Sequence, residues 1–260
     1  MNFEYAAYSE PGKTRNNNED NCYIDGKWKD IEREYFFESG IAEKTITAVV
    51  CDGMGGFEKG EKASFIAVDT VAKYCKNDRE MDFYSIVQNA NKIICQEIEI
   101  CGQAMGATIT GIDIRDGEMT VLNLGDSRTY RFRNDKLKQL TKDHSIVQRL
   151  VSMGLLTIEE ARKHPQKHCI TQYLGIMQED MVVEPQLEQQ ISIEEGDRYL
   201  ICSDGLTDMV SDIEIEKILQ RKEKVKEAAK TLLNTALANG GIDNVTVVLV
   251  EVQQEEDNEG

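Results

Sequence analysis

The chain has 260 residues, 40% of them apolar, and 30 Lys plus Arg against 47 Asp plus Glu give a formal net charge of −17. That length and apolar share support one large domain with a real core, while the acidic field repels phosphate backbones and anionic lipid, so nucleic acid and membrane surfaces are disfavoured as partners and divalent cations are favoured. The start Met-Asn-Phe-Glu-Tyr lacks the features of a secretory signal and no apolar run nears the ~18 residues that cross a bilayer, so a cytoplasmic protein is expected.

Residues 3–8 and 45–51 read as strands, several of their positions alternating with period two. Residues 25–44, with Trp28 and the run Glu-Tyr-Phe-Phe-Glu, read as an extended hairpin whose aromatics are strand residues or partner-binding ones. Ala63, Ala67, Val71 and Tyr74 recur at helical spacing, and their small side chains permit close packing on a sheet. Phe83, Ile86, Val87, Ala90, Ile94 and Ile98 form a second helical stripe. Residues 107–114, 119–124 and 129–133 read as hairpin strands separated by the turns Arg115-Asp116-Gly117 and Arg133-Asn134-Asp135. Between about 145 and 175, two short helices interrupt the strand pattern as a surface flap. Thr157 with Glu160 three residues on is a capping box that starts a helix at Ile158. A strand at 198–202, a helical stripe through Val225, Ala228, Leu232 and Ala236, and a strand at 245–252 follow. Residues 253–260 are expected to be a disordered acidic tail. Single-faced helices mixed with hairpins indicate an α+β layered sandwich. The seven cysteines are scattered, odd in number and without a Cys-x-x-Cys pair, which argues against a disulfide framework or a zinc knuckle.

Three apolar runs sit beside a carboxylate: Cys51-Asp52-Gly53, Cys202-Ser203-Asp204-Gly205, and Asp243-Asn244 before Val-Thr-Val-Val. A buried strand has no reason to meet an acid unless the charge is balanced. Asp-Gly alone is a common turn, but three such elbows brought together make a hard-oxygen site for Mg²⁺ or Mn²⁺. Two such ions about 4 Å apart acidify a shared water and hold an anionic substrate, and phosphate ester hydrolysis is the natural reaction.

The joint pattern resembles the protein phosphatase 2C family of metal-dependent Ser/Thr phosphatases, in its compact bacterial form. The stretches that carry it are Gly12 to Asn21, Asp52-Gly-Met-Gly-Gly56 with Gly60-Glu-Lys-Ala-Ser64, Gly106-Ala-Thr108 and Leu124-Gly-Asp126-Ser-Arg128. Leu140 to Ser145, His164-Pro165, Ser203 to Asp208 and Asp243-Asn244 complete it, in the family's order, from about residue 5 to 250. The resemblance implies a four-layer α-β-β-α sandwich, with two central antiparallel sheets flanked by helices and a small flap subdomain, in a single domain over 1–252. It implies that Asp52 bridges two Mn²⁺ or Mg²⁺ ions, that Asp204 and Asp243 complete the first site, and that the Gly53 carbonyl serves the second, with Glu19 and Asp20 acting mainly through bound waters. Arg15, whose planar fork suits two phosphate oxygens, is the expected substrate-binding and catalytic cation. Asp126 with Asp204 resembles the ligand set of a third, weaker metal, and Asp143 and Asp208 are weaker candidates that brace the loops.

The chain departs from the family at Met54 and Phe57, where relatives place a histidine, so a protonating imidazole is missing from that loop. None of the three histidines is an obvious replacement: His144 reads as a loop anchor and His164 as flap packing, while His168 and Gln172 stand where relatives often carry Asn and Arg. The implied activity is hydrolysis of phosphoserine and phosphothreonine on protein substrates of a Ser/Thr kinase, by a monomer. The competing readings are a catalytically silent adaptor with the same fold, and a two-metal hydrolase of a small phosphate ester.

Overall fold

A computed structural model describes residues 1–54, 59–76 and 82–253. Gly55, Gly56, Phe57 and the tail beyond Gln253 lie outside the described residues. The chain opens with β1 (Asn2–Glu10), β2 (Asn21–Ile24), β3 (Lys27–Trp28), β4 (Phe36–Glu43), β5 (Ile46–Cys51) and the short β6 (Gly53–Met54). Two long helices follow, α1 (Gly60–Cys75) and α2 (Phe83–Cys101). The second starts where the Asp82 carboxylate accepts from the Ser85 N–H and stops at Gly102 in the left-handed region. Next come β7 (Gly106–Ala107), β8 (Ile109–Arg115), β9 (Glu118–Leu124), β10 (Arg128–Arg133) and β11 (Lys136–Gln139), then the flap helices α3 (Ile146–Ser152) and α4 (Ile158–Lys163). The capping box on Thr157 and Glu160 is formed in both directions. The chain ends with β12 (Gln186–Ser192), β13 (Arg198–Cys202), α5 (Asp204–Thr207), α6 (Asp212–Leu219), α7 (Val225–Ala238) and β14 (Val245–Gln253).

Two six-stranded sheets carry the fold, in the orders β11-β10-β13-β14-β1-β4 and β12-β9-β8-β5-β2-β3, and their pairings are antiparallel. One core lies between the sheets, where Phe3, Ile46, Ala48, Ile112, Tyr199 and Val250 meet. A second packs Val49, Ile109 and Leu122 against Ala63, Ala67, Val71, Ile86 and Ile94 of α1 and α2. The third packs Leu200, Val247 and Leu249 against Ala228, Leu232 and Ala236 of α7. The sandwich is therefore the expected α-β-β-α stack. Strands such as β5 and β13, buried at every position, read as continuous apolar runs because both their faces are covered.

The segment 25–44 departs from the expected single hairpin. Asp25 and Gly26 adopt positive φ and turn β2 straight into β3 within one sheet, whereas β4 pairs with β1 in the other. The polar stretch Lys29 to Glu34 carries the chain across. Phe36 is buried and Tyr35 exposed, and the half-exposed Phe37 packs on Tyr8 with ring centroids 4.7 Å apart beneath the Lys226 ammonium. Among the described residues, no helix is long and apolar enough to cross a membrane.

The ends of β5, β13 and β14 that carry acids interlock at one end of the stack. A Cβ on Gly205 would stand 1.9 Å from the Asn244 carbonyl oxygen, and one on Gly53 would stand 2.2 Å from the Gly60 oxygen and 2.5 Å from the Glu19 oxygen. Backbone approaches this close leave room for glycine alone. Gly205→Ala is therefore expected to destabilise the protein by about 1–3 kcal/mol through overpacking, read from the midpoint of urea unfolding.

Candidate metal centre

Each acid is fixed by hydrogen bonds that its neighbours in sequence or in the sheet supply. The Asp52 N–H donates to Thr108 Oγ1 at 3.0 Å and its carbonyl accepts from the Thr108 N–H at 2.8 Å, while Thr108 Oγ1 lies 2.7 Å from Ser127 Oγ, next to Asp126. Thr108 thus ties the Asp52 elbow to the loop that presents Asp126. Asn244, just after Asp243, accepts from the Glu19 N–H at 2.8 Å and donates to the carbonyls of Pro11 and Asn17. That one amide holds the loop carrying Arg15 and Glu19 against the Asp243 elbow.

Arg15, Glu19, Asp52, Gly53, Asp126, Asp204 and Asp243 line a single cleft of about 560 Å³, with Thr108, His168 and Asp208 on its walls. Asp20 lies beneath it. Its side chain is 1% exposed, and Oδ2 accepts from Ser203 Oγ at 2.7 Å and Thr246 Oγ1 at 2.8 Å. A chain of short contacts extends behind it, from Asn18 Nδ2 to Ser9 Oγ at 2.9 Å and from Ser9 Oγ to Thr246 Oγ1 at 2.7 Å. Asp20 is thus seated by protein hydroxyls.

The charges do not balance. Burial, then Asp20, Asp204, Asp126 and Asp243, push the Asp52 carboxyl well above the usual carboxylate range. Burial, with Asp204 and Asp143 adding to it, raises Asp126 to about 8, and burial raises Asp20 to about 7 despite its two hydroxyl donors. Glu19 is raised by burial and by Glu61, whose Oε2 is buried without a hydrogen-bond partner. Acids crowded like this stay ionised only if a cation sits among them. The donors are carboxylates, a backbone carbonyl and room for water, a set that fits Mg²⁺ or Mn²⁺ and not a soft metal.

The Arg15 guanidinium is half exposed and donates through Nη2 to Asp243 Oδ2 at 2.8 Å, which fixes it on the cleft wall. Asp143 is engaged elsewhere, receiving Arg128 Nε and Nη2 in a fork, so it braces the Gly-Asp-Ser-Arg turn. His144 accepts from the Gly125 N–H through Nδ1 and anchors that turn, as its sequence position implies. Gln172 is bonded to Val182 and Glu184 and holds the flap's return.

His168 stands in the sequence only as a departure from the family, and its contacts with two acids are not foreseeable there. Its Nδ1 lies 3.4 Å from Asp204 Oδ2 and its Nε2 3.5 Å from Asp208 Oδ2, so the one flap imidazole on the cleft wall spans two acids of the Asp-Gly-Leu-Thr-Asp elbow. Those three side chains are close enough to share one cation. Spacing hid it, since His168 is 36 residues before Asp204 and follows an unremarkable Gln-Lys.

Comparison with known proteins identifies the family. A family model described as protein phosphatase 2C matches residues 35–244. The serine/threonine phosphatase stp of Listeria innocua is 34% identical over 253 residues, covering 92% of each chain. The crystal structure of the Mycobacterium tuberculosis serine/threonine phosphatase PstP/Ppp superposes with a TM-score of 0.81 at 35% identity, covering 98% of this chain and 100% of that one. The catalytic domain of the protein phosphatase PstP, solved in complex with two manganese ions, superposes at 0.78 with 34% identity, covering 97% of this chain and 99% of that one. The chain belongs to the protein phosphatase 2C family.

Proposed function

We propose that this protein is a Mg²⁺- or Mn²⁺-dependent phosphatase that removes phosphate from Ser and Thr side chains of proteins, and that Asp52, Asp204 and Asp243, with the Gly53 carbonyl and Glu19, hold its cations. The observation that carries the reading is the convergence of these acids, remote in sequence, on one cleft with Arg15 on its wall. Bound cations supply Lewis-acid charge and lower the pKa of a water enough to make a nucleophile near neutral pH.

The residues contribute binding and orientation. Asp52 comes from one sheet and Asp204 and Asp243 from the other, so the cleft is shared by both and its width is set by the inter-sheet core. Asp20 holds Ser203, the residue before Asp204, and so fixes that elbow from beneath. Arg15 keeps N–H groups beyond the one given to Asp243, and these suit phosphate oxygens. Asp126, on the flap side of the cleft, with Asp204 suits a third and weaker cation. The likeness to named Ser/Thr phosphatases supports phosphoproteins as substrates. We extend that to proteins phosphorylated by a Ser/Thr kinase, acted on by a cytoplasmic monomer.

Turnover of a phosphothreonine peptide should require Mn²⁺ or Mg²⁺ and vanish in EDTA. Asp52→Asn and Asp204→Asn should each lose about 100-fold or more, whereas Arg15→Ala should lose about 10- to 100-fold in kcat/KM, the value of a charge-assisted hydrogen bond pair. Wild-type protein with no metal-dependent activity on the peptide would exclude the phosphatase; equal turnover of nucleotides would favour the small-ester hydrolase. A pH signature accompanies the cleft. Asp20 and Asp126 are raised to about 7 and about 8 in the folded, metal-free protein, and Asp52 is raised as well, so the contribution of Asp20 and Asp126 to stability is full below about pH 4 and is lost as pH rises through about 7 to 8. Melting temperature in EDTA should fall between about pH 5 and 8.5, saturating Mn²⁺ should remove most of the fall, and Asp126→Asn should flatten its upper part.

A further inference from the structure

The segment that crosses between the sheets buries a lysine behind the metal loop. Lys29 is 2% exposed and is the one buried lysine among the described residues. Its ammonium donates to the Asn18 carbonyl at 2.6 Å. Its backbone is gripped on both sides by Asn21, whose Oδ1 accepts from the Lys29 N–H at 3.1 Å and whose Nδ2 donates to the Lys29 carbonyl at 3.0 Å. Glu34 holds the same loop from the outside: its Oε2 accepts from the Asn18 N–H at 2.5 Å, and its carbonyl accepts from Asn18 Nδ2 at 2.8 Å. Asn18 Oδ1 in turn accepts from the Asp20 N–H. Residues 29–34 therefore satisfy both backbone groups of Asn18, the residue immediately before Glu19 and Asp20.

Burying an ammonium is costly unless it is paired, so Lys29 stands where the loop needs both a donor and a positive charge. Burial lowers its affinity for the proton while Asp20, Glu34 and Glu61 raise it. We propose that Lys29, seconded by Glu34, is a positioning residue for the cation centre: it presets the 18–20 backbone so that Glu19 faces the cleft and Asp20 seats the Asp204 elbow. The inference rests on the metal-dependent reading of the cleft. It assigns a role to the crossing segment that no motif in it suggests.

Charge and position make opposite demands, and this makes the proposal testable. A cation close to a divalent-metal site weakens binding by repulsion, so loss of charge alone would tighten Mn²⁺. Loss of a bond that orients ligands weakens it, by 10- to 100-fold for outer-shell partners elsewhere. The experiment is calorimetric titration of Mn²⁺ into EDTA-stripped, dialysed full-length protein. Lys29→Met should bind Mn²⁺ about 10-fold more weakly than wild type, with turnover of a phosphothreonine peptide recovered at high Mn²⁺ and its KM little changed. Unchanged or tighter Mn²⁺ binding would overturn the proposal, including the case in which Lys29→Met merely melts earlier in EDTA, the outcome of a purely structural lysine. Should Lys29→Met fail to fold, Glu34→Ala, at an exposed position, decides: about 3-fold weaker Mn²⁺ supports the brace, and wild-type affinity sinks it. Wild-type protein that binds no Mn²⁺ would instead defeat the metal reading itself, so the two failures are separable.

Discussion

Repulsion among carboxylates is the constraint on which this molecule turns. Asp20, Asp52 and Asp126 are pushed above their usual range first by burial and then by neighbouring carboxylates, with Asp204 acting on all three, and the fold tolerates this because the backbone segments that present them are held by several bonds. The stiffness is distributed: Thr108 binds the Asp52 backbone and Ser127, Asn244 binds Glu19 and two carbonyls, and Ser203 and Thr246 both donate to Asp20. A fold that simply relieved the repulsion would let the acids turn to solvent. Holding them inward costs stability in the absence of cations and is repaid when cations bind, since a ligand that binds only the folded state stabilises it by mass action.

Much of this was legible from residues alone, for physical reasons that vary by element. Strands β5, β13 and β14 are buried on both faces, so their apolar runs stand out, and a carboxylate at the end of such a run is an anomaly that demands a partner. The capping box of α4 was readable because it is local. What escaped was non-local or polar. Strand β12, Gln-Leu-Glu-Gln-Gln-Ile-Ser, lies at a sheet edge with little to bury, and β4 has its alternation broken by Ser39 and Gly40. The 25–44 segment, longer than the compact bacterial form needs, reads as one extended hairpin, and only the tight Asp25-Gly26 turn, which completes a hairpin early, tells otherwise.

The site itself divides along the same line. The convergence of acids at strand ends could be read from the chain, because their type and context are unusual together. Lys29 could not, since a lysine in a polar stretch is nearly always solvated, and His168 could not, since its partners are 36 and 40 residues away. The resemblance implies that Glu19 and Asp20 both act mainly through bound waters, and alternate side chains in an extended segment point to opposite sides. One of the two acids faces the cleft and the other the hydroxyls behind it.

The flap meets the centre through the elbow that carries Asp204. Lys167 pairs with Asp208 at 2.8 Å, Arg162 with Asp212 at 3.0 Å, and His168 stands between Asp204 and Asp208. Partly exposed pairs of this kind contribute roughly 0.2–1 kcal/mol each, enough to dock the flap and too little to lock it. Asp204 is therefore shared between the imidazole and the cleft, so a cation held there as proposed would share that carboxylate with the flap. Under that proposal the coupling between flap and cation would pass through one side chain, and the energy of a single weak contact would set its size.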